Sequence, residues 1–236
     1  MSGRTLESVQ KVAQGFGELL DRVIFVGSAV MRLYVTSGAA PESRPTEDID
    51  CLIDARSRLD LFTWEQELLK RGFHKRDPQQ SPTAHWRYGD IRLKIAPIQQ
   101  AGLLGYTNRW FEEGAFHART AHLPNGLRIR IFEPAYYFAA KLEAFDQRGG
   151  DDFRLSEDFE DIIYLLDNRP ELAQDLTRAF YEVRNYIRKQ LRDFLADPEL
   201  EEGIYYAMPF DTEPEQVHRI IRNMRDIAAY EPSLVR

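Results

Sequence analysis

The sequence predicts an α/β (α+β) fold, a small mixed β-sheet in the first half followed by a helical C-terminal lobe. Three observations predict it. Short runs at 22–26 (RVIFV), 47–54 (EDIDCLID) and 127–132 (LRIRIF) all precede Pro134, and their β-branched or alternating composition is that of strands. Segments of helical character at 5–21 and 58–71 are interleaved with them, as in layered helix-and-sheet folds. Beyond Pro134 the pattern is helical, interrupted only at Gly149-Gly150, Pro170, Pro198 and Pro209, residue types that end helices. The expected division is into domains 1–134 and 135–236.

Taken in order, the helix over 5–21 leads into the buried strand 22–26, which Gly27-Ser28 ends. Helical composition returns at 29–35 (AVMRLYV), so Ser28 is expected to be an N-cap, and exposed backbone N–H groups at that turn would suit a phosphate. The segment 37–46 (SGAAPESRPT) is expected to be a mobile surface loop. In the strand that follows, side chains alternate: Asp48 and Asp50 share one face while Ile49, Cys51 and Ile53 share the other. An amphipathic helix over 58–71 ends at Gly72, and 84–97 (AHWRYGDIRLKIAP) is a strand pair or one long strand turning near Gly89. The turn Pro124-Asn125-Gly126 precedes the strand 127–132. Helices are then expected at 135–147, 156–167, 170–195 and 213–229.

Composition narrows the class of function. With 236 residues, 43% of them hydrophobic, the chain can bury a substantial core. No apolar run approaches the ~18 residues of a membrane helix and no signal-peptide pattern opens the sequence, so a cytoplasmic protein with no membrane partner is expected. The single cysteine, Cys51, allows no internal disulfide and fits a small buried strand residue. A net charge of −7 argues against coating nucleic acid through bulk electrostatics. P-loop, GxGxxG and kinase motifs are absent from the sequence, and the five histidines show no metal-ligand spacing.

Two carboxylates at i and i+2 on a strand can converge on a divalent cation that neutralises phosphate charge. Alone, Asp48 and Asp50 would equally fit two surface acids on an amphipathic strand. The Gly27-Ser28 turn, twenty residues before Asp48, adds a second element, a place where backbone could cradle phosphates.

In this order, GSAVMRL and then TEDID, the sequence resembles the nucleotidyltransferase superfamily of the polymerase-β type. More narrowly, it resembles the AbiEii/MenT-type branch of toxin–antitoxin and phage-defence systems. The similarity spans residues 20–167 and is diffuse between Gly72 and Pro134. It implies that Asp48 and Asp50 are catalytic and hold Mg²⁺ or Mn²⁺, and that Gly27 and Ser28 bind the phosphates of an NTP substrate. Lys141 in AAKLEAF matches the branch's lysine, and Asp158 and Asp161 in SEDFEDIIYLL match its DxxD; these would complete a catalytic cleft between core and lobe. The activity implied is NMP transfer to RNA, tRNA especially, or to a protein hydroxyl, with release of pyrophosphate. An antitoxin or other protein partner is implied as well. Outside the resemblance, Lys141, Asp158 and Asp161 equally suit a helix salt-bridge network.

One departure stands out. Related folds often carry a third carboxylate on the strand corresponding to DIRLKIAP, where this chain has Lys94 between Leu93 and Ile95. Asp90 could substitute for it, Lys94 could bind nucleotide as a positive charge in place of a second metal, or the module could be catalytically degenerate and bind only nucleotide or a protein partner. A small-molecule nucleotidyltransferase of the antibiotic-modifying kind shares the same two motifs. Elsewhere, 105–111 (GYTNRWF) could stack a base or form a packed loop. Arg178, Arg184, Arg188, Lys189 and Arg192 could form a basic stripe or a solvated face.

Overall fold

The computed structural model describes residues 2–76, 85–99, 108–148 and 152–230. Its chain divides into two units, Met1–Leu33 with Glu42–Glu133, and Tyr34–Pro41 with Pro134–Arg236. The first unit holds a mixed sheet and the second is helical, the α/β architecture that the alternation and periodicity predict.

In the first unit, seven strands, β1 (Val23–Val26), β2 (Asp48–Ile53), β3 (Phe73–Lys75), β4 (His85–Tyr88), β5 (Ile91–Pro97), β6 (Arg119–His122) and β7 (Arg128–Ile131), pair in the order β3-β4-β5-β2-β1-β7-β6. The central strand β2 runs antiparallel to β1 and parallel to β5. All four residues of β1 are buried, which explains a strand without alternation. Along β2, Ile49, Cys51 and Ile53 are buried as expected, and Leu52 is buried too, so only Asp48 and Asp50 break an otherwise apolar strand. Helices α1 (Ser2–Phe16), α2 (Arg58–Lys70) and α3 (Trp110–Phe116) complete the unit. A capping box starts α2: Ser57 Oγ accepts from the Asp60 N–H, and the Asp60 carboxylate accepts from the Ser57 N–H.

Several elements differ from the sequence expectation, each for a local reason. The first helix stops at Phe16 and tightens into a 3-10 helix over Gly17–Arg22, because Gly17 takes a left-handed φ of 55°. Strands β3 (FHK) and β6 (RTAH) each bury one residue, Phe73 and Ala121, too weak a pattern to show in sequence. The stretch 84–97 resolves into β4 and β5 around Gly89.

The helical unit contains α4 (Pro134–Gln147), α5 (Glu157–Asn168), α6 (Leu172–Arg178), α7 (Tyr181–Ala196), α8 (Leu200–Ala207) and α9 (Pro214–Ala229). The expected single helix over 170–195 breaks between α6 and α7, where Ala179 and Phe180 are extended at ψ 159° and 153°; no proline or glycine marks that break. Helix α8 was not foreseen either. It is seated by Gly203, where an added Cβ would fall 2.3 Å from Phe153 Cβ. Helix α4 is buried from Pro134 to Phe145 and packs on α5, α6 and α7. Phe145, Phe153, Phe159 and Phe194 form a ring cluster with centroids 4.6–5.8 Å apart, a geometry that adds to simple burial.

Residues 34–41 belong with these helices, so the part of the expected 37–46 loop up to Pro41 is held by contacts within the helical unit. Tyr34 stacks on Tyr137 at 4.0 Å, Asn168 O accepts from the Thr36 and Ser37 N–H groups, and Tyr164 Oη donates to Pro41 O at 2.7 Å. Beyond Tyr34 the segment has no helix or strand but is tied down at each end. Among the described residues no helix is long and apolar enough to cross a membrane.

Burial pushes the Cys51 thiol well above its ordinary value, and the neighbouring Asp50 charge adds to the shift. Native protein at mildly alkaline pH is therefore expected to leave Ellman's reagent unreacted, whereas protein in concentrated guanidinium should titrate one thiol per chain. Rapid native reaction would contradict the placing of β2 in the core.

Candidate active site

The strand-to-helix turn and the acid pair meet because β1 and β2 are antiparallel neighbours. Val26, the last residue of β1, is in register with Asp50, so the chain leaving β1 passes directly over that carboxylate. Gly27 has φ 72°, and a Cβ there would lie 2.8 Å from Asp50 Oδ2. Only glycine satisfies both the left-handed backbone and the approach.

Ser28 opens a seven-residue 3-10 helix, Ser28–Tyr34, rather than capping an α-helix. Its Oγ accepts a hydrogen bond from Arg44 Nη2 at 2.9 Å. A helix this short and tight offers little dipole to an anion, and the positive charge at the turn is the Arg44 guanidinium. Arg44 was missed in the sequence because it lies in the irregular Ser/Pro/Gly-rich stretch. Its half-buried position between the turn and β2 depends on a contact sixteen residues away.

On the other side of β2, the parallel register sets Arg92 beside Asp48 and Lys94 beside Asp50. Arg92 Nε lies 3.1 Å from Asp48 Oδ1, and Lys94 Nζ lies 3.5 Å from Asp48 Oδ2. Arg92 also donates to the exposed Glu47 carboxylate. That hydrogen bond holds the Arg92 guanidinium above its ordinary value, with the Asp48 charge adding and desolvation opposing. Asp90, the possible substitute acid, lies exposed in the turn before β5, outside the paired part of the strand.

Asp48 and Asp50, half-buried on one strand face, are hard oxygen donors that suit one divalent cation taking its remaining ligands from phosphate and water. Among the described residues, no group of three or more His, Cys, Asp or Glu side chains gathers where a metal could bind. Two carboxylates of this kind could hold one divalent cation together with ligands from outside the protein.

No protein-family model matches the chain, and no curated protein matches it. The reading of the site therefore stands on its geometry and on the motif resemblance.

In the helical unit, Ser156 Oγ accepts from the Phe159 N–H and starts α5, placing Asp158 and Asp161 one turn apart on the face toward α4. Lys141 Nζ lies 3.1 Å from Asp158 Oδ1 and 2.6 Å from Asp161 Oδ2, and the three side chains are 8%, 4% and 3% exposed. Arg148 adds a contact to Asp158 Oδ2 at 3.4 Å from a more exposed position. The residues named by the sequence thus come together as a buried ion cluster, with the Lys141 ammonium held between two carboxylates.

The other candidates fall into structural roles. Residues 105–107 lie outside the described residues; Asn108 Oδ1 accepts from the Trp110 N–H, and Trp110 and Phe111 are buried, which favours the packed loop. The basic stripe is broken up: Arg188 is buried, it and Arg192 donate to Ala228 O, and Lys189 pairs with Asp193. A cavity of about 340 Å³ in the helical unit is lined by Leu176, Ile227, Arg184, Arg188, Asp226 and Tyr230 among others, and by none of the predicted site residues.

Removing the ammonium leaves two carboxylates facing each other in a buried place. Lys141→Met is expected to lower the stability of the protein by ~3–5 kcal/mol, the usual cost of breaking a buried ion pair, measured by urea unfolding. A loss under ~1 kcal/mol would match an exposed pair and contradict the burial described.

Proposed function

We propose that the chain is a divalent-cation-dependent nucleotidyltransferase that moves an NMP group from an NTP to a hydroxyl, releasing pyrophosphate. The observation that carries the reading is the juxtaposition of the Gly27 turn, Ser28 and Arg44 with the carboxylate pair on β2. One element suits a polyphosphate and the other its cation, on adjacent strands.

Arg44, a planar fork of donors matched to phosphate oxygens, would hold the β- and γ-phosphates together with the Gly27-Ser28 turn. Asp48 and Asp50 would hold Mg²⁺ or Mn²⁺. Bound there, the cation supplies positive charge to the phosphate oxygens. The acceptor's oxygen forms its bond to the α-phosphorus in line with the bridging oxygen to the β-phosphate. That bridging bond breaks, its electron pair leaves with pyrophosphate, and the acceptor proton passes to solvent. Position and charge are what this chain contributes.

The resemblance to the AbiEii/MenT-type branch supports RNA, tRNA especially, or a protein side chain as acceptor. It also supports a toxin or defence role with a neutralising protein partner. A second reading, a catalytically degenerate module that binds nucleotide or a protein partner, is favoured by one observation: Arg92 and Lys94 both contact Asp48 and so partly satisfy its charge.

Incubation with each α-labelled NTP and Mg²⁺ or Mn²⁺ should put label into total RNA or into the protein itself. Asp48→Asn/Asp50→Asn should reduce transfer by on the order of 100-fold or more, as loss of charge stabilisation in a reacting site does. Nucleotide binding without label in the wild type would support the degenerate module and sink the transferase. For Arg44→Ala, loss of a charge-assisted phosphate contact is expected to raise the KM for NTP about tenfold. An unchanged KM would remove Arg44 from the site.

A further inference from the structure

Lys94 differs from every other cation around β2. Arg92 is engaged by Glu47 and Asp48, and Arg44 donates to Ser28. The Lys94 ammonium, by contrast, has a single ionic contact among the described residues, Asp48 at 3.5 Å, beyond the ~2.7–3.2 Å of an N–H···O hydrogen bond. Its side chain is 26% exposed, on the strand next to the acids and in register with Asp50. A partly desolvated ammonium with three donors to place, fixed beside two carboxylates, has the chemistry to receive phosphate oxygens.

We propose that Lys94 replaces a second divalent cation, so that the site takes one cation per chain and the Lys94 ammonium contacts the triphosphate directly. The proposal rests on the nucleotidyltransferase reading and adds the charge economy of that site. With Arg92 set against Glu47, two carboxylates, one ammonium and one dication carry a net charge of about +1. Three carboxylates with two dications, the usual two-metal arrangement, carry the same. A lysine at the third position thus preserves the field met by the substrate while removing both a ligand and an ion. An ammonium is a compact point charge, here tethered covalently to β5, so this field does not depend on the concentration of free metal for its second half.

The test counts cations directly. Wild type is titrated with Mn²⁺ in the presence of an α,β-methylene NTP, with free Mn²⁺ followed by its electron paramagnetic resonance signal. One Mn²⁺ per chain is expected, and Lys94→Asp should admit a second. Lys94→Ala should weaken binding of the analogue about tenfold, equivalent to ~1.4 kcal/mol, while Lys94→Arg retains most of it. Two Mn²⁺ per wild-type chain would overturn the proposal even if a variant failed to fold. So would analogue affinity unchanged in a folded Lys94→Ala. Wild type that binds no analogue at all would overturn the transferase reading and this inference with it, a result distinct from either stoichiometry.

Discussion

The approach of the Gly27 backbone to the Asp50 carboxylate is the constraint around which the sheet unit is arranged. A Cβ at Gly27 would sit 2.8 Å from Asp50 Oδ2, inside van der Waals contact, and the φ of 72° is one that other residues adopt only with strain. The approach exists because β1 and β2 are antiparallel and Val26 is opposite Asp50. It persists because apolar side chains bury both strands: Val23 to Val26 on one, Ile49 and Cys51 to Ile53 on the other. A register slip of one residue would turn Asp48 and Asp50 into the core and Cys51 out of it, at the cost of burying two charges. The acids are thus themselves part of what fixes the register, and the same pairing that holds the sheet delivers them to the turn.

How much of this was legible follows from the range of the interactions involved. The acids' shared face was visible because strand alternation is local, and the Gly27-Ser28 turn because a glycine after an apolar strand is a local signal. The helices α2, α4 and α5 were visible from helical composition and from the glycines or prolines that flank them. Strands β3 and β6 were not, because each buries one residue and exists through its partner. The break between α6 and α7 was hidden because Ala179 and Phe180 are ordinary residues whose extended conformation is imposed by packing. Arg44 was hidden for a related reason: its partner Ser28 lies across an irregular segment that composition alone marks only as loop. The meeting of Lys141 with Asp158 and Asp161 was suggested by motif resemblance, and the i, i+3 spacing of the two acids placed them on one face. Their depth of burial was not readable, since the amphipathicity of α4 is weak and nearly every residue of that helix turns out to be inside.

The two lysines that the sequence singled out show how environment divides identical chemistry. Lys141 is enclosed with two carboxylates at hydrogen-bonding distances. In such surroundings the charge is costly to move and costly to leave unpaired, so within the helical unit its first consequence is to lock α4 to α5. Lys94 stands on a partly exposed strand face with one looser ionic contact. There the ammonium is only partly desolvated and retains donor capacity, and among the described residues its one ionic contact is with Asp48. A divalent cation on Asp48 would weaken that contact, because the carboxylate's charge would then be answered by the metal. On the proposed reading, metal and nucleotide binding would be coupled through one carboxylate: with a cation on Asp48, Lys94 would be released from its ionic contact there and left to meet a phosphate oxygen.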